Sequence, residues 1–229
     1  MPLKDGDFVL LDYTLRVKET DQVIDTTREE VAKEVGIYRA DKTYEPMLVV
    51  IGAGWVPRGL EERLKEMEVG EEKVIELPPE EAYGPRDPRK VITMPARRLS
   101  QRGIVPRVGQ RVRIEGLGVG VVRAVGSGRV TIDFNHPLAG RTLIYEVALK
   151  AKIEEPAEKV RALIKRRIGL VPPEKFEVEV GEKEITIKMP EEAFYIDGIQ
   201  VLKRGIASDI MRLLEGVELV RFVEEFKKS

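Results

Sequence analysis

LVVIGAGWVPRGLEERLKEMEVG, residues 48–70, reads as a buried strand, a glycine-rich corner and one short amphipathic helix. Leu48 to Ile51 is a compact run rich in β-branched residues, of the kind that pairs inside a sheet. Gly52 and Gly54 admit backbone angles that other residues avoid, so the chain can turn sharply before Trp55. Leu60, Leu64 and Met67 fall at i, i+4 and i+7 on one helical face, with Glu61, Glu62, Arg63, Lys65 and Glu66 covering the rest, and Gly70 is expected to stop the helix in a left-handed cap. Because the first 150 residues show no other helix of this strength, the surrounding strands are expected to bury their apolar faces against it.

The strands themselves follow from period-two patterns. Val9, Leu11, Tyr13, Leu15 and Val17 share one face of a half-buried strand over Asp7 to Val17. A short strand, Gln22 to Asp25, follows; Thr27 is placed to cap a brief helix over Arg28 to Glu34. Glu72 to Leu77 is another strand, stopped by Pro78-Pro79, and Glu80 to Pro85 is a loop by its glycine and proline content. Leu143, Tyr145, Val147 and Leu149 line one face of a long strand that returns to this first sheet.

Between these elements the composition changes. From Arg86 to Arg113 there are nine Arg or Lys and a single acid, Asp87. Gly109 to Phe134 then reads as short strands separated by glycine turns, a small all-β insert. Gly116-Leu117-Gly118-Val119-Gly120 is not a nucleotide loop: alternating apolar residues flank it and no helix follows, so it reads as a turn or bulge. Beyond about Ile153 a third pattern begins. Ala157 to Ile168 and Ile199 to Leu214 are amphipathic helices, and Phe176 to Val180, Glu184 to Met189 and Val217 to Phe226 are strands of a C-terminal α/β unit.

Composition narrows the chemistry. The 229 residues carry 39 basic and 40 acidic side chains, so whole-chain charge selects no partner and any basic region acts locally. With no cysteine, disulfides and thiolate chemistry are excluded, and the single histidine, His136, rules out a His-rich metal site. No apolar run has the length of a signal peptide core or a membrane span, which points to the cytoplasm and away from membranes. The high charge content with one Asn and four Gln leans towards a thermophilic source.

Val23-Ile24-Asp25-Thr26-Thr27, Ile51-Gly52 followed by Val56 and Gly59-Leu60-Glu61, Ala82-Tyr83-Gly84 and Leu143-Ile144-Tyr145-Glu146-Val147 occur in the order and approximate spacing of the FKBP-type peptidyl-prolyl isomerases, which residues 1–153 resemble. The segment from Tyr83 to Asn135-His136-Pro137-Leu138-Ala139-Gly140 resembles the insert-in-flap domain of the SlyD-like branch. With its tail, the chain is most similar to the long archaeal members. The resemblance implies an α+β fold: an antiparallel sheet wrapped around one short helix (residues 1–87 and 135–153), a small all-β insert (88–134) and a C-terminal α/β domain (154–229).

It also implies an activity that needs neither cofactor nor metal. Rotation about an Xaa-Pro bond faces a barrier of roughly 18 to 20 kcal/mol because amide resonance must be broken. An apolar pocket disfavours the polar planar ground state relative to the twisted transition state. Carried over from the family, Tyr13 and Tyr145 form pocket walls, and Ile24, Val49 and Val56 add aliphatic lining. Asp25 is the rim carboxylate and Tyr83 supplies a hydroxyl from the flap. Leu60 stands at the floor, where the best-known members have tryptophan. Pro57 occupies a position where the family commonly uses a backbone N–H to hold the substrate carbonyl, and proline has none. The expected partners are unfolded or nascent chains containing Xaa-Pro bonds, met on the insert by Val91, Ile92, Met94, Leu99, Ile104 and Val105. Two other readings stand beside this one: a non-catalytic holdase with a vestigial pocket, supported by Pro57 and Leu60, and a ribosome or RNA-associated factor using the basic insert through residues such as Arg97 and Arg98. For the tail, homodimerisation, client binding and docking on another domain are all open.

Overall fold

The computed structural model describes residues 2–226. In chain order the elements are β1 (Phe8–Val17), β2 (Gln22–Thr26), α1 (Glu29–Glu34), β3 (Met47–Val50), α2 (Arg58–Leu64), β4 (Glu72–Leu77), β5 (Val91–Pro95), α3 (Ala96–Ser100), β6 (Arg111–Ile114), β7 (Gly118–Gly126), β8 (Arg129–Asp133), β9 (Leu143–Ile153), α4 (Pro156–Arg167), β10 (Glu177–Val180), β11 (Glu184–Lys188), α5 (Ile199–Leu213) and β12 (Leu219–Val223). The chain divides into two compact units, one of Met1–Arg16, Gln22–Ile75 and Ile144–Ser229, the other of Val17–Asp21 and Glu76–Leu143.

The main sheet has the order β2-β1-β9-β4, and β3 pairs antiparallel with the first half of β1, Phe8 opposite Val50 through Leu11 opposite Met47. The run at 48–51 is apolar at every position because both of its faces are covered. Leu48 and Val50 share a core cluster with Phe8 of β1 and with Val160, Leu163 and Ile164 of α4. Val49, which alternation points the other way, is fully buried, as are Leu60 and Leu64 of α2. A strand buried on one side alone would alternate with polar residues.

The corner before α2 behaves as its glycines require. Gly52 and Gly54 take φ of +83° and +67°, and the Glu61 carboxylate reaches back to accept the Gly54 N–H at 3.0 Å. The helix ends sooner than the spacing predicts, at Leu64 rather than before Gly70. Met67 is still buried, but on a turn past the helix. Gly70, at φ +91°, donates instead to the Leu149 carbonyl of β9, 2.7 Å away, and so starts the turn into β4. Thr27 likewise does not cap α1, whose preceding residue Arg28 makes no side-chain cap. Its hydroxyl is taken by Asp12 and by the Tyr13 backbone.

In the C-terminal part, β10 pairs antiparallel with β11 and β11 pairs parallel with β12 through the α5 crossover, giving the order β10-β11-β12. Ile206 and Ile210 of α5 join Val160, Leu163 and Ile164 of α4 in the cluster that also holds Phe8, Leu48 and Val50. Arg167 of α4 and the buried Asp209 of α5 form an ion pair at 2.6 Å.

The insert is a four-stranded antiparallel sheet, β5-β8-β7-β6, over its own small core of Met94, Leu99, Val112, Ile114, Val122, Val130 and Ile132. To the glycine-separated strands read from the sequence the structure adds β5 and the one-turn helix α3. A Cβ on Gly120 would lie 2.6 Å from the Ile132 methyl and 2.8 Å from the Phe134 ring, so this glycine lets two core side chains cross over β7. Gly120→Ala is expected to cost about 1–3 kcal/mol by overpacking, read as an earlier unfolding of the insert by hydrogen exchange; an unchanged exchange pattern would show that the core gives way freely.

Candidate functional site

β1 and β2 are stitched together around Asp25-Thr26-Thr27. The Tyr13 N–H donates to Thr27 Oγ1 at 2.9 Å, the Thr27 N–H donates to the Tyr13 carbonyl at 3.0 Å, and the Thr14 and Thr26 hydroxyls meet at 2.9 Å. Buried hydroxyls demand partners, and here they find them on the neighbouring segment. The stitch brings the Tyr13 phenol over Asp25: its O–H donates to Asp25 Oδ2 at 2.6 Å. Tyr145, on β9, lies with its ring centroid 6.1 Å from that of Tyr13 at an interplanar angle of 50°, a tilted aromatic pair. The two rings are 9% and 5% exposed, so little more than an edge of each is open.

Asp25 has a partner that the sequence reading lacks. Lys42, from the excursion between α1 and β3, donates its ammonium to Asp25 Oδ1 and to the Thr26 carbonyl, the latter at 2.9 Å. Burial pushes the Asp25 carboxyl up, but the Lys42 ammonium, the Tyr13 hydroxyl and the Thr26 N–H outweigh it and hold the group below its ordinary value. Ile24, Asp25 and Lys42 line a cavity of about 180 Å³ with Ile37 and Tyr44. Tyr13 and Lys42 also line a larger cleft of about 570 Å³, with Met47 and Leu48 of β3 and Ala162 and Lys165 of α4. Nothing in the spacing of the chain marks Lys42; it lies 17 residues from its partner in an irregular segment.

The other expected residues divide. Ile24 is exposed, and Val56 and Pro57 are half-buried just ahead of α2, where the Pro57 carbonyl accepts the Leu60 and Glu61 N–H groups at 2.9 and 3.1 Å. Val49 is closed off completely and Leu60 is 1% exposed. The expectation that Val49 lines the pocket is therefore corrected: it is a core residue, because both faces of β3 are covered. Tyr83 belongs to the unit that holds the insert, where its ring stacks on His136 with centroids 3.9 Å apart and planes 9° from parallel.

On the insert the client-facing set is corrected more heavily. Met94 and Leu99 lie in its core, Ile92 and Ile104 pack against them, and Val91 is half-buried. Only Val105 of the expected six is exposed, at 71%. The apolar side chains that do face outwards are Val108, Leu117, Val119 and Val125, in turns and strand ends that look unremarkable in sequence. Among the described residues no group of three or more His, Asp or Glu could hold a metal ion, and no helix is long and apolar enough to cross a membrane.

The family model of the FKBP-type peptidyl-prolyl cis-trans isomerases matches residues 1–150, and a model described as FKBP26 C-terminal matches residues 156–227. The chain belongs to the FKBP-type peptidyl-prolyl cis-trans isomerases. It is 40% identical over 156 residues to a short-type peptidyl-prolyl cis-trans isomerase of Methanocaldococcus jannaschii, covering 68% of this chain and 96% of that protein. It is also 32% identical over 170 residues to the isomerase SlyD of Treponema pallidum (72% and 87% covered) and 27% identical over 149 residues to a 16 kDa FKBP-type isomerase of Escherichia coli (63% and 90%).

Because the Asp25 carboxyl is held below its unfolded value, its contribution to stability is present above the ordinary carboxylate range and is lost as pH falls through the lowered value. Lys42→Met removes the main opposing charge and leaves burial to act. The Asp25 carboxyl carbon should then titrate at higher pH by NMR, and an unmoved titration would mean that Lys42 does not hold this carboxylate.

Proposed function

We propose that the chain isomerises Xaa-Pro bonds of unfolded or partly folded proteins at the cluster of Tyr13, Asp25 and Tyr145, with no covalent intermediate, and that its insert holds the client. The observation that carries this reading is the 2.6 Å hydrogen bond from the Tyr13 hydroxyl to Asp25 beside the Tyr145 ring. It joins residues from three strands in one polar-edged aromatic wall.

The chemistry follows from charge. A planar prolyl amide carries negative charge on its carbonyl oxygen, and twisting the bond withdraws it. An ionised carboxylate at the rim and aromatic rings behind it disfavour the planar state more than the twisted one, which is differential stabilisation of the transition state. Asp25 is already engaged by Tyr13, Lys42 and the Thr26 N–H. Its part is therefore to orient the Tyr13 ring and to supply a fixed negative potential, while Val56 and Ile24 furnish the apolar surround. Client segments rest on the exposed Val105, Val108, Leu117, Val119 and Val125 of the insert.

Tyr13→Phe and Asp25→Ala are expected to lower kcat/KM on a prolyl tetrapeptide by about tenfold or more, the scale of losing a charge-assisted hydrogen bond; full retention in both would remove the site from this wall. A form lacking about Arg89 to Phe134 should keep its activity on the tetrapeptide while losing catalysis of a proline-limited protein refolding reaction. Parallel loss of the two activities would show that the insert does more than hold the client. Pro57 offers no N–H to a bound carbonyl, so macrolide inhibitors of the family should bind more weakly here than to members with a donor at that position, which calorimetry on Pro57→Ile against the parent would reveal.

A further inference from the structure

The base of the insert carries a second, open cavity of about 570 Å³, lined by Arg86, Arg123, Asp133, His136 and Arg141 with Pro137, Ala139 and Gly140 of the adjoining turn. Its only lining carboxylate is already saturated. Asp133 is buried; its Oδ1 accepts the Asn135 N–H at 3.0 Å and the Asn135 side-chain amide at 2.8 Å, and its Oδ2 is met by Arg86 at 2.7 Å and by Arg123 at 3.4 Å. A carboxylate offers about four acceptor positions; hydrogen bonds take three of those on Asp133, and the Arg123 guanidinium is paired against the rest. Each guanidinium has five N–H donors, and Arg86 and Arg123 place only a fraction of theirs on Asp133.

The remaining walls also donate. His136 Nδ1 accepts the Leu138 N–H at 3.2 Å, which puts the proton of the neutral ring on Nε2 and makes that atom a donor. Burial pushes the imidazole down, which favours the neutral form. Among the described residues Arg141 has no ion pair; the acid within electrostatic reach is Glu19, itself bound by the Thr142 N–H at 3.0 Å and not part of the lining. Gly140 holds the wall together: at φ +73°, a Cβ there would come within 3.3 Å of the Arg86 backbone, so its absence lets the Arg141 turn close on Arg86.

Three arginines and a histidine line one hollow whose lining carboxylate is already engaged, so the complementary ligand is an acceptor of several oxygens. A carboxylate is satisfied by one bidentate arginine, whereas a phosphoryl group presents three terminal oxygens and a second charge. The volume lies in the range of small-molecule sites. A polynucleotide fits less well, because no aromatic side chain between Tyr83 and Phe134 is there to stack a base. We propose that the Arg86, Arg123, His136 and Arg141 cavity binds the phosphoryl group of a small phosphomonoester. Since His136 stacks on Tyr83, occupancy also bears on the Tyr83 ring.

His136 is the single histidine of the chain, so its ring resonances report this cavity alone. The intact protein is titrated with inorganic phosphate, glycerol 3-phosphate, acetate and a single-stranded RNA oligonucleotide at ionic strength held constant with chloride. A saturable shift with phosphate and glycerol 3-phosphate and not with acetate is expected. Arg141→Gln and Arg123→Gln should each weaken it about tenfold or more, while Arg97→Gln, on α3, leaves it unchanged. A response no different from chloride, or one indifferent to both cavity substitutions, overturns the site. Saturation by RNA alone, collapsing with added salt, overturns the small-ligand assignment in favour of a polyanion.

Discussion

Covering both faces of one four-residue strand is the constraint on which the larger unit depends. Met47–Val50 has no polar position to turn towards water, so both of its sides need cover: Val49 is fully buried on one, and α4 closes over Leu48 and Val50 on the other. The first is shared with Val9, the partner of Val49 on β1, the strand that runs on to Tyr13. The second recruits the C-terminal helices into a cluster with Phe8, Leu48 and Val50, so the segment after Ile153 is no loose appendage to that sheet. Burial of apolar area supplies the energy, and the alternation of β1 and β3 decides which side each residue serves.

Two aspartates fix the places where distant segments cross, and both do so by being fully engaged. Asp25 gathers a phenol, an ammonium and a backbone N–H from β1, the excursion before β3 and its own turn. Asp133 gathers Arg86, Arg123 and Asn135, while Asn135 exchanges hydrogen bonds with the Asp87 backbone at 2.9 Å in both directions. Asp133, which is buried, is expensive to desolvate and strongly destabilising to leave half-paired, so its crossing has essentially one arrangement. In one case the surplus chemistry is a polarised aromatic wall; in the other it is a hollow rich in donors.

Much of this was legible in the chain. Period-two patterns gave β1 and the long β9, and the i, i+4 spacing gave α4 and α5, because these elements bury one face against a large partner. The ordered motifs contain Asp25, Tyr83 and Tyr145, and the alternation of β1 puts Tyr13 on its inward face. What escaped was local or non-local in ways that pattern does not register. Helix α3 has one buried residue, Leu99, among arginines, too few for any period to emerge. Lys42 meets Asp25 through an irregular segment. Met94 and Leu99 look like exposed hydrophobes in a basic stretch, yet the insert is small enough to need every apolar side chain it has for its own core. α2 stops at Leu64 although its apolar spacing runs on to Met67, since burial of Met67 constrains where a side chain goes and not whether its backbone stays helical.

The shared cluster of β1, β3 and α4 has an evolutionary side. A lineage that discarded everything after Ile153 would uncover a phenylalanine, a leucine and a valine at once on the outer face of its sheet, a sticky patch open to water. Losing the tail is thus a change that polar replacements at positions 8, 48 and 50 must precede or accompany, and gaining it is what permits those positions to drift to hydrocarbon. The residues on that face record which history a given sequence has had.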